Sequence, residues 1–464
     1  MRDVIVSLAL ISLFPACFRR PFVGLIVFSW LAYMRVQDLT WGFARGMRWS
    51  YYVAVITFAG YVVNSGGRFF AADIRSFIML TMVVLVSTSV ALSERPDAET
   101  ISRLLEYVKI VVIALFTTVV VKTREHLRIL MWVIALSLGF YGVKSGVWGI
   151  LTFGGGVIKQ GPGGMLADNN DFALALAMAV PLLVNVGLSE KRDLLRRAFF
   201  ITVPLTMITI VLTHSRGGFL SLTGAIGVMV WRSKNRVAGV VIGMLIGLCA
   251  LVLAPASYKE RIASIADYKS EGSAQARFAS WAVAYRMAMA HPILGVGLGK
   301  FTQHYMRHEP NPTAQQRAGF DIFVAHNSYL QIWAECGTMA FLLYWMLLFI
   351  SFFTIWRTRA RAKRLYYSSW IINYATGMEA SLVAFMIGST FLNRAHFDLF
   401  YHFVAVVCVF GVIAQREMDT PVKVRKRKDK RRVRGELVAV EGGGFGSRPV
   451  RRGFRNTPLL PREA

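Results

Sequence analysis

The sequence predicts an all-α polytopic membrane protein of about twelve transmembrane helices, twelve or thirteen by count, with a long, partly helical periplasmic loop. Three observations predict it. Of 464 residues, 55% are hydrophobic and 17% charged, against about 25% charged in an ordinary soluble domain, and mean hydropathy is +0.48. Apolar runs long enough, or nearly long enough, to cross a bilayer recur along the chain. The net charge is +27, and clusters of it fall in short segments between those runs. In a polar chain such a surplus would point to nucleic acid. In one this apolar it points to cationic loops, and no nucleic-acid partner is expected. Cys17, Cys249, Cys336 and Cys408 have no CxxC spacing and three lie in apolar runs, so neither a disulfide framework nor a zinc site is indicated.

In chain order, the candidate spans lie near 4–18, 21–33, 50–63, 74–92, 107–121, 128–150, 171–187, 198–213, 218–231, 237–255, 329–356, 368–392 and 399–414. Several fall short of the roughly 20 residues a crossing helix needs. Arg19-Arg20-Pro21 splits the first stretch into two short spans or one broken element. No cleavable signal peptide is expected, because little basic charge precedes the first run and no small-residue cleavage site precedes Arg19. Lys and Arg then set the orientation. The segments 188–197, 232–236 and 357–364 and the tail from Arg416 all thread to one side, which the positive-inside rule makes the cytoplasm. Arg35, Arg45 and Arg48 fall on the other side. Residues 1–414 read as a membrane domain. Residues 415–464 read as a basic, disordered cytoplasmic tail, with the run Lys423 to Arg434 suited to anionic lipid headgroups.

The same threading turns the Gly-rich segment 154–170, the turn His214 to Gly218, the loop 256–328 and the loop Asn393 to Asp398 outward. Loop 256–328 holds four of the eight histidines, His291, His304, His308 and His326. Its aromatics between Arg277 and Arg286 have helical spacing. A break follows at His291-Pro292 and at Gly295, Gly297 and Gly299, and then a second short helix entering the membrane near Ser328. The glycine series lacks the spacing and the Lys-Ser/Thr ending of a phosphate-binding loop, so it reads as a crossing where backbones pack closely. No nucleophile elbow and no HExxH motif is present.

Several residues could carry chemistry, each with a plainer alternative. Arg216, in Thr213-His-Ser-Arg-Gly-Gly, has a planar fork suited to phosphate oxygens, or it snorkels to headgroups. Arg277 opens the aromatic helix as a second such cation, or is an ordinary solvated arginine. Arg286 lies nine residues on, off that helical stripe. His326 stands where the long loop re-enters the membrane. A neutral imidazole there could act as a general base, or it could simply cap or pack. Glu335, about 2.5 turns further on, would not face His326 on a straight helix and reads as a supporting carboxylate. Asp168-Asn169-Asn170-Asp171 should supply a helix cap and a second group to a cavity. Asn393, Arg394, His396 and Asp398 form another outward polar cluster. Two cations and one candidate base on one face describe a group-transfer site fed by a lipid-phosphate donor.

Ser215-Arg216-Gly217, Arg277-Phe-x-x-Trp281, His291-Pro-x-x-Gly-x-Gly-x-Gly-x-Phe301 and His326-Asn327-x-x-Leu-x-x-x-x-Glu335-x-Gly337 resemble, in order, the motifs of the O-antigen ligase and O-antigen polymerase superfamily of bacterial inner-membrane glycosyltransferases. The likeness covers roughly residues 160–400. The stretch from Arg19 to Ala44 looks like the exosortase-A-associated O-glycosylation ligases. The resemblance implies an undecaprenyl-diphosphate-linked glycan donor and an acceptor hydroxyl on a glycan, lipid A-core or protein. It implies His326 as base, Arg216 and Arg277 holding the diphosphate, and Asn327, Glu335, Asp168, Asn169 and Arg286 in support. It further implies twelve spans with both termini cytoplasmic and a site facing the periplasm. Neither metal nor cofactor is expected in the inverting transfer. Alternatives are a polysaccharide polymerase or a protein O-oligosaccharyltransferase of the same superfamily and, outside it, a polysaccharide transporter or flippase.

Overall fold

A computed structural model describes residues 1–420 apart from 66, 95, 153–155, 234–235, 238–271, 319, 321 and 366–368. The chain divides into a body, Met1–Met418, and a second unit, Asp419–Ala464. The candidate span 237–255, the start of the long loop and the basic run Lys423 to Arg434 lie outside the described residues.

The body is built of helices. In order they are α1 (Arg2–Arg19), α2 (Pro21–Met34), α3 (Phe43–Gly46), α4 (Trp49–Ser65), α5 (Ile74–Ala91), α6 (Ala98–Val120), α7 (Arg124–Leu151), α8 (Asn169–Leu188), α9 (Asp193–Leu212) and α10 (Arg216–Arg232). Then come α11 (Gly272–Ala290), α12 (Phe301–His308), α13 (Ala314–Arg317), α14 (Ser328–Arg364), α15 (Ser369–Ser389) and α16 (Asp398–Asp419). Among the described residues, seven are long and apolar enough to cross a membrane: α5, α7, α8, α9, α14, α15 and α16. In hydrocarbon every backbone polar group needs an internal partner, which helices supply within the segment. Met339, Leu342, Phe349 and Phe353 of α14 stay exposed, as side chains facing lipid would.

The first stretch is two helices. Arg20 has an extended backbone, and its successor Pro21 occupies the first position of α2, where its missing N–H costs nothing. Asp3 of α1 accepts from the backbone of Gly42 and Ala44, beyond the far end of α2, so the two run antiparallel. α16 continues past residue 415 to Asp419. Among the described residues, the one addition to the all-α reading is a hairpin, β1 (Gln160–Gly163) and β2 (Leu166–Asp168), paired antiparallel with Gln160 opposite Asp168. Gly163 and Gly164 turn it at positive φ, a conformation open to glycine without a Cβ penalty.

α8 lies at the centre, with residues 171–183 all buried. Its alternating alanines let neighbours approach closely. A Cβ at Gly218 of α10 would lie 2.4 Å from Ala173, and one at Gly388 of α15 would lie 2.5 Å from Leu174. Basic segments gather at one end of this bundle. Arg128 pairs with Glu190 at 2.9 Å, Arg124 with Glu417 at 3.7 Å, and Arg232 and Arg359 both reach Glu379. The starts of α8, α10 and α14 lie at the other end.

α14 is broken at Gly337, which has φ 85° and ψ 174°. A break frees carbonyls from the i→i−4 ladder, and buried carbonyls need partners. The glycine-rich crossing supplies them: Val296 N–H donates to Ala334 at 3.0 Å and Gly297 N–H to Glu335 at 2.9 Å. Ser89 of α5 also donates to the Glu335 carbonyl at 2.9 Å. Gly295 thus packs backbone on backbone, as the spacing predicts, whereas Gly297 and Gly299 leave room for the side chains of Ser93 and Arg103.

Candidate active site

At the end away from the basic segments is a cavity of about 380 Å³. Its walls come from separate parts of the chain. α6 gives Arg103, Glu106 and Tyr107; the start of α8 gives Asp168, Asn170 and Asp171; α11 gives Arg277. His326, Gln331 and Glu335 come from the entry to α14, and Asn393, Arg394 and His396 from the loop before α16.

Local chemistry sets each of these in place. Asp168 caps α8, its side chain accepting from Asn170 N–H at 2.8 Å. Asn169 donates to the Thr213 carbonyl at 2.8 Å, tying α8 to the turn before α10. Ser215 caps α10 by accepting from Gly218 at 3.1 Å. Asn327 caps α14, accepting from Tyr329 and Leu330 at 3.0 and 3.1 Å. His326, just before that cap, has φ 45°, a left-handed conformation uncommon outside glycine. Ser328 donates to the Leu392 carbonyl at 2.8 Å and accepts from Arg394 N–H at 2.9 Å. The Arg394 guanidinium pairs with Asp171. Three helix N-termini, those of α8, α10 and α14, thus meet at one end, where unpaired N–H groups and helix dipoles favour negative charge.

His326 is half-buried. Burial, and then the Arg277 charge, lower its pKa from the ordinary 6.5, against a smaller opposing effect of Asp168. The ring is therefore neutral at pH 7, with one nitrogen able to accept a proton.

The cavity brings together His326, Arg277, Asp168 and Glu335. Glu335 reaches it one turn after Gln331 on the same face of α14, and its carboxylate accepts from Gln331 at 3.2 Å. Other predicted residues stand apart from its lining. Arg216 is the first residue of α10, beside the rim, where neighbouring Gly217 faces Phe391 of the lining. Asn327 and Asn169 hold backbone at its edge. Arg286 bonds the His308 carbonyl at 2.7 Å and pairs with Glu309 at 3.4 Å, bracing α11 against the end of α12. The wall from α6 was not foreseen. Its sequence signal is the series Arg103, Glu106, Tyr107, Ile110, which at i, i+3, i+4 and i+7 makes one helix face with two charges on it.

Residues 199–345 match the family model described as O-antigen ligase. This stretch is an O-antigen ligase-family domain. The matched region carries Arg216, Arg277, His326 and Glu335 together. Residues 1–173 match a second model, a family of unknown function. No curated protein matches the chain. With this domain and multiple apolar helices, the chain is a membrane protein whose domain is of a glycosyl-transferring family.

Proposed function

We propose that the chain is a glycosyltransferase of the bacterial inner membrane that moves a glycan from undecaprenyl diphosphate to an acceptor hydroxyl at the periplasmic face. The observation that carries this is a neutral His326 beside Arg277 on one polar cavity. His326 takes the proton of the acceptor hydroxyl. The freed oxygen bonds to the anomeric carbon from the side opposite the diphosphate, and the bond from that carbon to the diphosphate oxygen breaks. The electron pair leaves with undecaprenyl diphosphate, and the anomeric configuration inverts. General-base help of this kind is worth roughly 10²–10⁴-fold.

The leaving diphosphate gains negative charge, and Arg277, Arg216 and the three helix N-termini are fixed positive groups suited to it. They do the electrostatic work a divalent ion would do, so the proposed reaction uses no metal, and the lipid diphosphate already activates the sugar. The basic segments at the opposite end support a periplasmic site through the positive-inside rule. The acceptor, whether glycan, lipid A-core or protein, separates ligase from polymerase and from protein O-oligosaccharyltransferase. Deleting the gene and analysing surface glycans tells them apart. Unattached chains of normal length indicate a ligase, single repeat units a polymerase, and loss of glycosylated periplasmic protein the third.

The mechanism is tested in vesicles holding the purified chain and a lipid-linked donor. His326→Ala should slow transfer by roughly 10²–10⁴-fold, and EDTA should leave the wild-type rate unchanged. Near-normal transfer by the variant, or abolition by EDTA, sinks the mechanism.

A further inference from the structure

Residues 1–173 match a family of unknown function, and the transfer reading leaves their outward arginines unused. Arg35, Arg45 and Arg48 stand on the side that the positive-inside rule leaves poor in basic charge, so orientation does not account for them. Contacts fix their end of the bundle. Tyr141 donates to the Met34 carbonyl at the end of α2 at 2.7 Å. A Cβ at Gly164, in the hairpin that leads to Asp168 of the cavity, would lie 2.1 Å from Nη1 of Arg35. Through the bonds of Asp3 to Gly42 and Ala44, α1 also begins at this cavity end, and not at the basic end, as the cytoplasmic start implied by the family resemblance would require.

Between α2 and α4 the chain builds a braced platform. Asp3 accepts from Gly42 N–H at 2.9 Å and from Ala44 N–H at 3.1 Å, and the Trp49 indole donates to the Ala44 carbonyl at 3.0 Å. Ala44 and Trp49 are buried, and their neighbours turn outward. Trp41 is 82% exposed, with Phe43, Arg45 and Arg48 exposed near it. The Arg2 guanidinium lies over the Trp41 ring, 4.9 Å from its centroid. A tryptophan this exposed is unfavourable in water but suits the membrane–water boundary, where its ring meets lipid and its N–H meets headgroups. α1 leaves Val4, Ile5, Leu8 and Ile11 exposed on one face, as lipid-facing side chains would be. The platform is also cationic. Asp3 and Asp38 are the only acids before Asp73; Asp3 is engaged by backbone N–H groups and Asp38 by Arg35. Against Arg2, Arg35, Arg45 and Arg48 at this end, they leave a surplus of two positive charges.

We infer that this platform, made of Arg2, Trp41, Phe43, Arg45 and Arg48, docks the headgroup of an anionic phospholipid in the leaflet on the cavity side. Trp41 and Phe43 enter the upper acyl region, and the guanidinium forks meet phosphate oxygens. The surplus charge selects an anionic headgroup over a zwitterionic one. The Asp3 brace holds the aromatic and cationic groups at one depth, so the docked lipid fixes how deep the start of α1 and the start of α4 sit. This surface goes beyond the transfer reading and does not depend on it.

The test is fluorescence quenching of the full chain in nanodiscs of phosphatidylcholine. The probes are phosphatidylglycerol and phosphatidylcholine, each brominated on the acyl chain near the headgroup and added at the same low fraction. The chain has 11 tryptophans, so the Trp41 signal is read as the difference between wild type and Trp41→Phe. Bromine quenches an indole only near contact, so lipids held by the basic segments at the other end of the bundle do not reach Trp41. Brominated phosphatidylglycerol should quench Trp41 more strongly than brominated phosphatidylcholine. Arg45→Gln and Arg48→Gln, both at exposed positions, should each lower that preference about fivefold. Quenching by phosphatidylcholine should persist in both, which shows that the variants are folded with Trp41 at the membrane. Equal quenching by the two lipids in the wild type, a preference unchanged in both variants, or no quenching of Trp41 by either lipid overturns the docking surface.

Discussion

The backbone N–H of Gly297 donates to the carbonyl of Glu335 over 2.9 Å, and through this bond the glycine-rich crossing holds the broken start of α14. The two backbones touch because neither carries a Cβ where they meet. A Cβ at Gly295 would lie 2.4 Å from the Glu335 carbonyl carbon, and one at Gly337 would lie 2.1 Å from the Ile293 oxygen. Both glycines also have positive φ. Gly295→Ala and Gly337→Ala should each cost at least roughly 1–3 kcal/mol from backbone strain alone, with the backbone clash added. Thermal unfolding of the purified chain should show both well below wild type. An unchanged midpoint would mean the crossing can move away freely.

The acid limb of the activity profile should report His326. Its pKa is lowered by burial and by Arg277, so the base form, which the reaction needs, persists below pH 6.5. Activity should fall only as pH drops through that lowered value. Arg277→Gln removes one of the two causes, so the limb should move to higher pH while the maximal rate also falls. Rate measurements across pH 4–8 check this (about four units span both protonation states). A limb that stays put in the variant would separate the arginine from the histidine.

Glu379 is the anion of a buried cluster at the basic end, with Arg359 only 3% exposed beside it and Arg232 at 2.6 Å. Glu379→Gln leaves a buried guanidinium without its counter-charge. Breaking a buried pair from one side typically costs roughly 3–5 kcal/mol. The loss should appear in thermal or denaturant unfolding and should not depend on added donor lipid.

Asp171 and Arg394 clasp the start of α8 to the loop that carries Asn393 and His396. Asp171→Asn weakens a charge-assisted bond worth roughly 1.5–3 kcal/mol. Hydrogen exchange across residues 390–397 should become faster, with helices away from the cavity unchanged. Unaltered exchange would show that the Ser328 bonds alone hold the loop.

Much of the fold was legible because membrane helices leave a strong local record. Apolar runs, caps such as Asp168 and breaks such as Arg20-Pro21 are short-range features. So is the glycine crossing, which the absent phosphate-loop ending already set apart from nucleotide binding. His326 and Arg277 could be singled out from chain order and sidedness, and the family motifs made them sharper. The α6 wall could not. Arg103, Glu106 and Tyr107 read locally as the polar start of an amphipathic helix. Nothing within α6 says that Lys300 and Arg307, some two hundred residues on, will clamp it to the crossing.

The sequence by itself determined an apolar, basic helical chain, the grouping of its basic segments and the separate residues that could carry chemistry, because hydropathy, charge and capping are properties of neighbours in the chain. Only the tertiary structure decided which of those residues share a cavity. That choice depends on the approach of the Arg103 stem to Gly299, of backbones at Gly337, and on ion pairs between distant segments, which no local pattern encodes.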